Sequence, residues 1–401
     1  MDPERSKRIL ITCQNFAPGV SATDDNIHDL LEGLLDKGWD VAVCCWTSSV
    51  GKPADGPADG GYGRMRVFKL ESSRLDRALW TMAVRYVVML AKHLAKDGSG
   101  YDLILTTDEP LGIRLLLSAC RRPFRMGADH IAWLMDFAPA RRQKGGSSVG
   151  KRFLRRVADR ATIAGLRASD RIVVIGRCMA KRLVGLGIGE ERISMIGIWP
   201  NLAAPELDAS PRTADGDEPF CFLYSGHCGP WHDYATLAAV LPALRGSRIR
   251  FCFAGGGVGI DAIRTRVARE RLTNVRFEER VERAEVPRLL SSADAHLVTL
   301  NASAAGSCVP SKLYAAMAVA RPVIFVGPPD SQAAEDVIAA EAGAVVAPGD
   351  SRGLEAAIRQ FADDPETSRR LGLNGQRWFL KNRTREIAVE AWSRLLKGTF
   401  A

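Results

Sequence analysis

Short apolar runs rich in β-branched residues alternate with longer amphipathic stretches along nearly the whole chain. The first series predicts strands over 8–12, 40–45, 65–69, 103–106, 130–135, 171–175 and 193–196, and helices over 24–37, 73–96, 111–121, 149–168 and 177–186. At 203–219 the pattern stops, and Pro205, Pro211, Asp215, Asp217 and Pro219 mark a linker. It restarts at Phe220, with strands over 220–225, 249–254, 275–278, 295–300, 323–326 and 344–346. Helices fit 234–244, 259–270, 286–292, 311–318, 331–342 and 351–363, and a helical stretch over 366–397 follows.

Alternating strand and helix is the signature of parallel sheets covered by helices, so the expected fold class is α/β, with two Rossmann-like domains in tandem. The expected boundaries are 1–202 for the first domain, 203–219 for the linker, 220–380 for the second domain and 381–401 for a terminal helix. Open parallel sheets bind ligands outside the carboxyl ends of their strands. Two such domains facing each other frame a cleft, and each strand-to-loop junction becomes a candidate site.

Composition narrows the partners. The 401 residues are 46% hydrophobic and 25% charged, more chain than one typical core organises, and the formal charge of +9 points to an anionic partner. Nucleic acid, a phosphorylated substrate and acidic lipid all fit that charge. No zinc spacing, helix-turn-helix pattern or aromatic-basic stripe accompanies it, so nucleic acid is not expected. Residues 1–8 are charged and lead into only Ile9-Leu10-Ile11, without the apolar stretch of an export signal. The apolar stretch 83–91 is broken by Arg85 and closed by Lys92, short of the roughly 20 residues that span a bilayer. A cytoplasmic chain is expected, peripheral to a membrane at most. Nine cysteines occur with no C-x-x-C pair, and Cys13, Cys44, Cys221 and Cys252 sit in strand patterns, so they read as core residues rather than metal ligands or disulfides.

The basic excess gathers in Arg141, Arg142, Lys144, Lys151, Arg152, Arg155, Arg156 and Arg160, opposed only by Asp159. On a helix from Val149, Lys151 with Arg155 and Arg152 with Arg156 pair at i,i+4 beside apolar Phe153, Leu154 and Val157. That is the pattern of a surface facing anionic lipid; a solvated helix face shows it too.

The chemistry concentrates after Phe220. Phe222 to Tyr234 reads as a strand entering a glycine turn, Gly226-His227-Cys228-Gly229, and then a helix near Asp233. Backbone N–H groups at such a helix start form an anion site, to which His227 or His232 adds a donor; the glycines serve the turn equally well. The next strand ends in Gly255-Gly256-Gly257, which permits close backbone approach to a ligand. Further on, Ser311 is placed to cap a helix that carries Lys312 in its first turn, where a cation opposes the helix dipole and therefore needs an anion or solvent.

In order, Ser225-Gly226, Phe253 to Gly257, Asn274-Val275-Arg276-Phe277, Ala293 to Val298, Val309 to Ile324 and Gly343 to Asp350 resemble the C-terminal half of glycosyltransferase family 4. More narrowly they resemble its branch in bacterial polysaccharide clusters, including fucosaminyltransferase-like proteins. The first half is similar too: Phe16 to Thr23 matches a small-residue loop after the first strand, Trp133-x-x-Asp136-x-x-Pro139 a segment at the cleft, and Ser169 to Ile175 the strand closing the first domain.

The resemblance implies the GT-B architecture, with the C-terminal helix packing back toward the first domain. It also implies a metal-independent, retaining transfer of a hexosyl or N-acetylhexosaminyl group from a nucleotide-sugar donor to a glycan or lipid-linked acceptor. Lys312, His232 and Asp136 become the catalytic candidates. Gly19, Gly226, His227, Gly255, Gly256, Arg280, Val281, Ser307, Pro310, Ser311 and Ala315 become the donor-binding ones. His227 and His232 stand where many relatives carry Arg and Lys, and Arg280 and Val281 where backbone groups read the base. The chain departs from the family where two glutamates eight positions apart contact sugar and ribose, for Ser307 and Ala315 occupy those places, and Ala320 replaces a usual glycine. A non-catalytic glycosyltransferase-like subunit supporting an active partner is the alternative.

Overall fold

The apolar runs pair as parallel strands. The computed structural model describes residues 6–14, 16, 21–46, 65–70, 79–97, 100–107, 113–120, 127–137, 149–200, 202 and 218–399. The chain divides into two units, Met1–Gly197 with Ala388–Ala401, and Ile198–Ile387.

In the first unit the strands are β1 (Arg8–Cys13), β2 (Asp40–Trp46), β3 (Met65–Leu70), β4 (Leu103–Thr106), β5 (Asp129–Leu134), β6 (Arg171–Val174) and β7 (Ile193–Met195). They form one parallel sheet in the order β3-β2-β1-β4-β5-β6-β7. Helices α1 (Ala22–Asp36), α2 (Leu79–Asp97), α3 (Ile113–Cys120), α4 (Val149–Ala168) and α5 (Arg177–Gly185) connect them. Ser21 starts α1 by accepting from the Asp24 N–H at 3.2 Å, with Asp24 and Asp25 on the positive end of the helix dipole. The central strands β1 and β4 are continuous buried runs, as expected for strands covered on both faces.

In the second unit β8 (Phe220–Ser225), β9 (Ile249–Ala254), β10 (Val275–Glu278), β11 (Ala295–Thr299), β12 (Val323–Val326) and β13 (Gly343–Val346) form a parallel sheet in the order β10-β9-β8-β11-β12-β13. Its helices are α6 (Tyr234–Val240), α7 (Val258–Glu270), α8 (Val286–Ser291), α9 (Lys312–Ala318), α10 (Gln332–Ala339), α11 (Ser351–Asp363) and α12 (Pro365–Asn382); α13 (Arg385–Thr399) ends the chain. Alternation along β8 and β9 sends Phe222, Tyr224, Phe251 and Phe253 into one core with Leu237, Ile263 and Ile358. Cys221, Leu223, Cys252 and Ala254 face Leu290 and Val319 on the other side. In each sheet the connections run in opposite directions from adjacent central strands, β1 beside β4 and β8 beside β11, which makes the loops after β1 and β8 the switch points where such sheets bind ligands.

Three predicted helices are shorter or broken in the structure. The stretch 234–244 is α-helical only to Val240 and then 3₁₀ over Leu241–Leu244, because Pro242 has no N–H for the ladder. The stretch 331–342 ends at Ala339, with Glu341 in a left-handed conformation (φ 47°). The stretch 366–397 is two helices: Arg383 leaves helical geometry (φ −137°) and Thr384 Oγ1 restarts the helix by accepting from the Ile387 N–H at 3.4 Å.

The break has a tertiary cause. Arg383 Nη2 donates to Asp336 Oδ2 at 2.7 Å, both side chains are buried, and Asp336 also accepts from Tyr314 Oη at 2.7 Å and Gln332 Nε2 at 2.8 Å. After the break, α13 carries Trp392 into the first unit, where its fully buried ring meets Trp133 edge to face at 5.0 Å.

Candidate functional site

At the carboxyl end of β8 the chain turns through Gly226 in a left-handed conformation (φ 92°). The loop then laces onto the loop after β9. The Gly226 N–H donates to the Ala254 carbonyl (2.8 Å), the Cys228 N–H to Gly256 (2.8 Å) and the Gly259 N–H to Cys228 (2.9 Å). This contact is what the glycine run serves. A Cβ on Gly255 (φ 124°) would lie 2.5 Å from the Gly226 carbonyl oxygen, and one on Gly257 (φ 107°) 2.7 Å from the His227 ring. At Gly226 and Gly256 a Cβ would meet nothing within 4 Å. Close approach at Gly255 and Gly257 is therefore loop against loop, and the open positions are Gly226 and Gly256. Gly255→Ala is expected to lose about 1–3 kcal/mol of stability and Gly256→Ala no more than about 0.5 kcal/mol. Urea unfolding of the two variants checks this; equal midpoints would contradict it.

The start of the following helix is already occupied. Asp233 caps α6, its Oδ1 accepting from the Thr236 N–H (3.1 Å) and its Oδ2 from Thr236 Oγ1 (2.6 Å). A carboxylate thus stands where the sequence suggested an anion, and positive charge at this loop must come from a side chain.

Lys312, at the start of α9, supplies it. Its Nζ donates to Tyr224 Oη at 2.8 Å and to the His227 carbonyl at 3.0 Å, and lies 4.1 Å from the centre of the Tyr224 ring. Burial pushes its pKa down to about 8, so it is charged at neutral pH and loses its proton as pH rises through that value. Ser311 occupies the cap position with helical backbone, and its side chain makes no capping hydrogen bond, contrary to expectation.

His232 does not behave as a second lysine would. Its Nδ1 stands 2.8 Å from the Thr299 carbonyl, an atom that can only accept, so Nδ1 carries the hydrogen and Nε2 presents a lone pair. Burial first, and the Lys312 charge second, push its pKa down to about 3. The ring is therefore neutral and offers an acceptor where a phosphate would need a donor. The Asn301 N–H, which donates to the Trp231 carbonyl at 2.8 Å, ties the same loop to the end of β11.

The remaining positions are spread more widely. Ser307 and Pro310 are buried in the segment before α9, and half-buried Ala315 packs on the apolar cluster of Cys221, Leu223 and Leu290. Arg280 is exposed and Val281 half-buried beyond β10. In the first unit, exposed Asp136 follows β5 between buried Met135 and Phe137. Gly19, Arg141, Arg142 and Lys144 lie outside the described residues, as do the side chains of Lys151, Arg152, Leu154 and Arg155. On α4, Phe153 and Val157 are 65% and 47% exposed, with Arg156 and Arg160 exposed beside them.

The structure thus brings Gly226, His227, His232, Gly255, Gly256 and Lys312 to one end of the second sheet, and adds Tyr224 and Cys228. Sequence reasoning missed both. A tyrosine at the core-facing end of a buried strand needs a partner for its hydroxyl, which is the signal that could have found Tyr224. Two other features take none of these residues. A cavity of about 670 Å³ opens at the opposite, amino-terminal ends of β8, β9 and β10, with Arg250 and Arg276 in its lining. His28, Asp29 and Glu32 on α1 bring three ligand atoms within 4.8 Å of one another.

Family comparisons decide what kind of protein carries this site. The description "Glycosyl transferase 4-like domain" matches residues 24–199, and "Glycosyl transferases group 1" matches residues 208–378. The two matches together span most of the chain. The chain belongs to the GT-B glycosyltransferase family. It is 26% identical over 220 residues to WcaI of Escherichia coli K12, named for colanic acid biosynthesis, and 27% identical over 169 residues to the glycosyltransferase WbjE of Pseudomonas aeruginosa. The matched segments cover 52% of this chain and 52% of WcaI, and 40% and 41% for WbjE, about half or less of each relative. Among solved structures, sucrose-phosphate synthase from Thermosynechococcus elongatus superposes with a TM-score of 0.76 at 17% identity, covering 98% of this chain and 99% of that one. Anabaena HepE in complex with UDP and glucose gives 0.70 at 16%, covering 98% and 100%, and WaaG, a glycosyltransferase involved in lipopolysaccharide biosynthesis, 0.66 at 13%, covering 96% and 98%. These likenesses establish the GT-B fold. Among the described residues of this glycosyltransferase no helix is long and apolar enough to cross a membrane.

Proposed function

We propose that this glycosyltransferase transfers a hexosyl or N-acetylhexosaminyl group, with retention, from a nucleotide-sugar donor to a glycan or lipid-linked acceptor of a bacterial surface polysaccharide. The observation that carries the reading is the Lys312 ammonium seated at the switch-point loop of β8, within hydrogen-bond reach of the His227 carbonyl. The HepE complexes hold UDP or UDP-glucose, which supports a nucleotide sugar here.

In this reading the bond between the sugar carbon and the diphosphate oxygen breaks as the acceptor oxygen bonds to the same face of that carbon. The acceptor's proton passes to the departing diphosphate, whose charge Lys312 stabilises, so neither a protein base nor a metal is required. His232, neutral, accepts from a hydroxyl rather than neutralising phosphate. Asp136 and Gly19 remain candidates on the first unit, and Arg280 and Val281 candidates for the base. The fucosaminyltransferase-like branch favours an amino sugar. Exposed Phe153 and Val157 beside Arg156 and Arg160 on α4 support peripheral docking on anionic lipid, on the cytoplasmic side where nucleotide sugars are available.

The test is thermal protection by UDP-, GDP- and dTDP-sugars, followed by transfer to lipid-linked acceptor in vesicles with and without anionic lipid. Protection of several degrees by one donor series is expected, and transfer should be faster on anionic vesicles; no protection by any donor would sink the reading. A non-catalytic subunit is the second reading, favoured by the absence of a carboxylate at Ser307 and Ala315. It predicts donor protection without transfer.

A further inference from the structure

The ammonium of Lys312 has three N–H donors, and two are engaged inside the second unit, on Tyr224 Oη at 2.8 Å and on the His227 carbonyl at 3.0 Å. The third is left for a ligand. Beneath the charge, 4.1 Å away, lies the ring of Tyr224, whose negative face attracts a cation. Tyr224 itself cannot shift. Its side chain is fully buried at the end of β8, against Phe253 at 6.1 Å and edge-on to His232 at 6.2 Å.

We propose that Tyr224 is a positioning residue: its ring and hydroxyl hold the Lys312 ammonium in place over the Gly226–Gly229 loop before the donor arrives, so that one N–H is ready for a diphosphate oxygen. The inference rests on the reading of Lys312 as the diphosphate's partner, and adds how the cation is held. A lysine stem loses rotamer freedom when it seats an anion; here that loss is already taken in the free protein.

The groups facing the ammonium are Tyr224 from β8 and, from the loop that follows, the His227 carbonyl, the Cys228 thiol and the His232 ring. Burial pushes both the Tyr224 phenol and the Cys228 thiol up, and His232 is neutral, so neutral acceptors hold the charge. A hydrogen bond to the charged form favours it, so removing the hydroxyl must make the ammonium easier to deprotonate.

Tyr224→Phe keeps the ring and its packing and removes only the hydroxyl. In full-length protein labelled with ¹³C-lysine, and with the Lys312 signal assigned by its loss in Lys312→Ala, the Lys312 titration midpoint is expected to fall by about one pH unit. Affinity for UDP or GDP, measured by calorimetry, should fall roughly tenfold at neutral pH, with its alkaline limb moving down in step. A purely structural role would lower the melting temperature and leave the midpoint where it was. An unchanged midpoint in Tyr224→Phe overturns the proposal. If neither nucleotide binds the wild-type chain, the assignment of the diphosphate site is what fails, and the lysine titration still decides the role of Tyr224.

Discussion

Replacing Lys312 with Ala is expected to lower kcat/KM for sugar transfer by about 10²–10³-fold, or roughly 3–4 kcal/mol of transition-state stabilisation. The size follows from the surroundings. The Lys312 side chain is half-buried, its partners are neutral, and the adjacent helix start is capped by Asp233 rather than open to an anion. His232 adds no second charge there, because its ring, hydrogen-bonded to the Thr299 carbonyl, is held neutral by burial. Lys312→Arg should recover only part of the rate, since a planar guanidinium does not fit the acceptors that hold an ammonium. The wild-type rate should fall as pH rises through about 8, where Lys312 loses its charge, and that limb should vanish in Lys312→Ala. Steady-state kinetics with the donor found by thermal protection checks all three. A Lys312→Ala enzyme within threefold of wild type would remove Lys312 from the diphosphate.

Replacing Asp336 with Ala is expected to destabilise the second unit by about 3–5 kcal/mol, because the Arg383 guanidinium is then left buried without its counter-charge. Tyr314 and Gln332 lose an acceptor in the same step. For a unit of this size the melting temperature should drop by roughly 6–20 °C. The pair Asp336→Leu with Arg383→Met should lose far less, since it removes both charges and fills the space. Thermal and urea unfolding distinguish the cases; a single variant as stable as the double would show that the ion pair contributes little.

Much of the fold is legible in the chain, for a physical reason. Strands buried on both faces are continuous apolar runs bounded by turn residues, so the expected 103–106, 220–225 and 323–326 coincide with β4, β8 and β12. The expected 249–254 and 275–278 coincide with β9 and the half-buried edge strand β10, where apolar residues alternate with Arg250, Arg276 and Glu278. Local capping also shows: Asp350 accepts from the Gly353 N–H at 2.8 Å, and α11 begins where the sequence placed it. Ala320 keeps the left-handed φ of 54° that the family's usual glycine would adopt without strain.

What the chain did not disclose depends on partners distant in sequence. The break at Arg383 is set by Asp336, 47 positions away, and the neutrality of His232 by Thr299, 67 positions away. The charge pattern found Lys312, but not that Tyr224, 88 positions earlier, holds it. Residue types could therefore be nominated from the sequence, whereas their protonation states and seats needed the packing.

The return of α13 to the first unit has a consequence for anyone cutting the gene. Residues 198–387 form an uninterrupted stretch, so one continuous fragment can encode the second unit. The first unit has no such fragment. A chain stopped before Ala388 encodes it without Trp392, and leaves the buried indole of Trp133 facing the space that ring would fill.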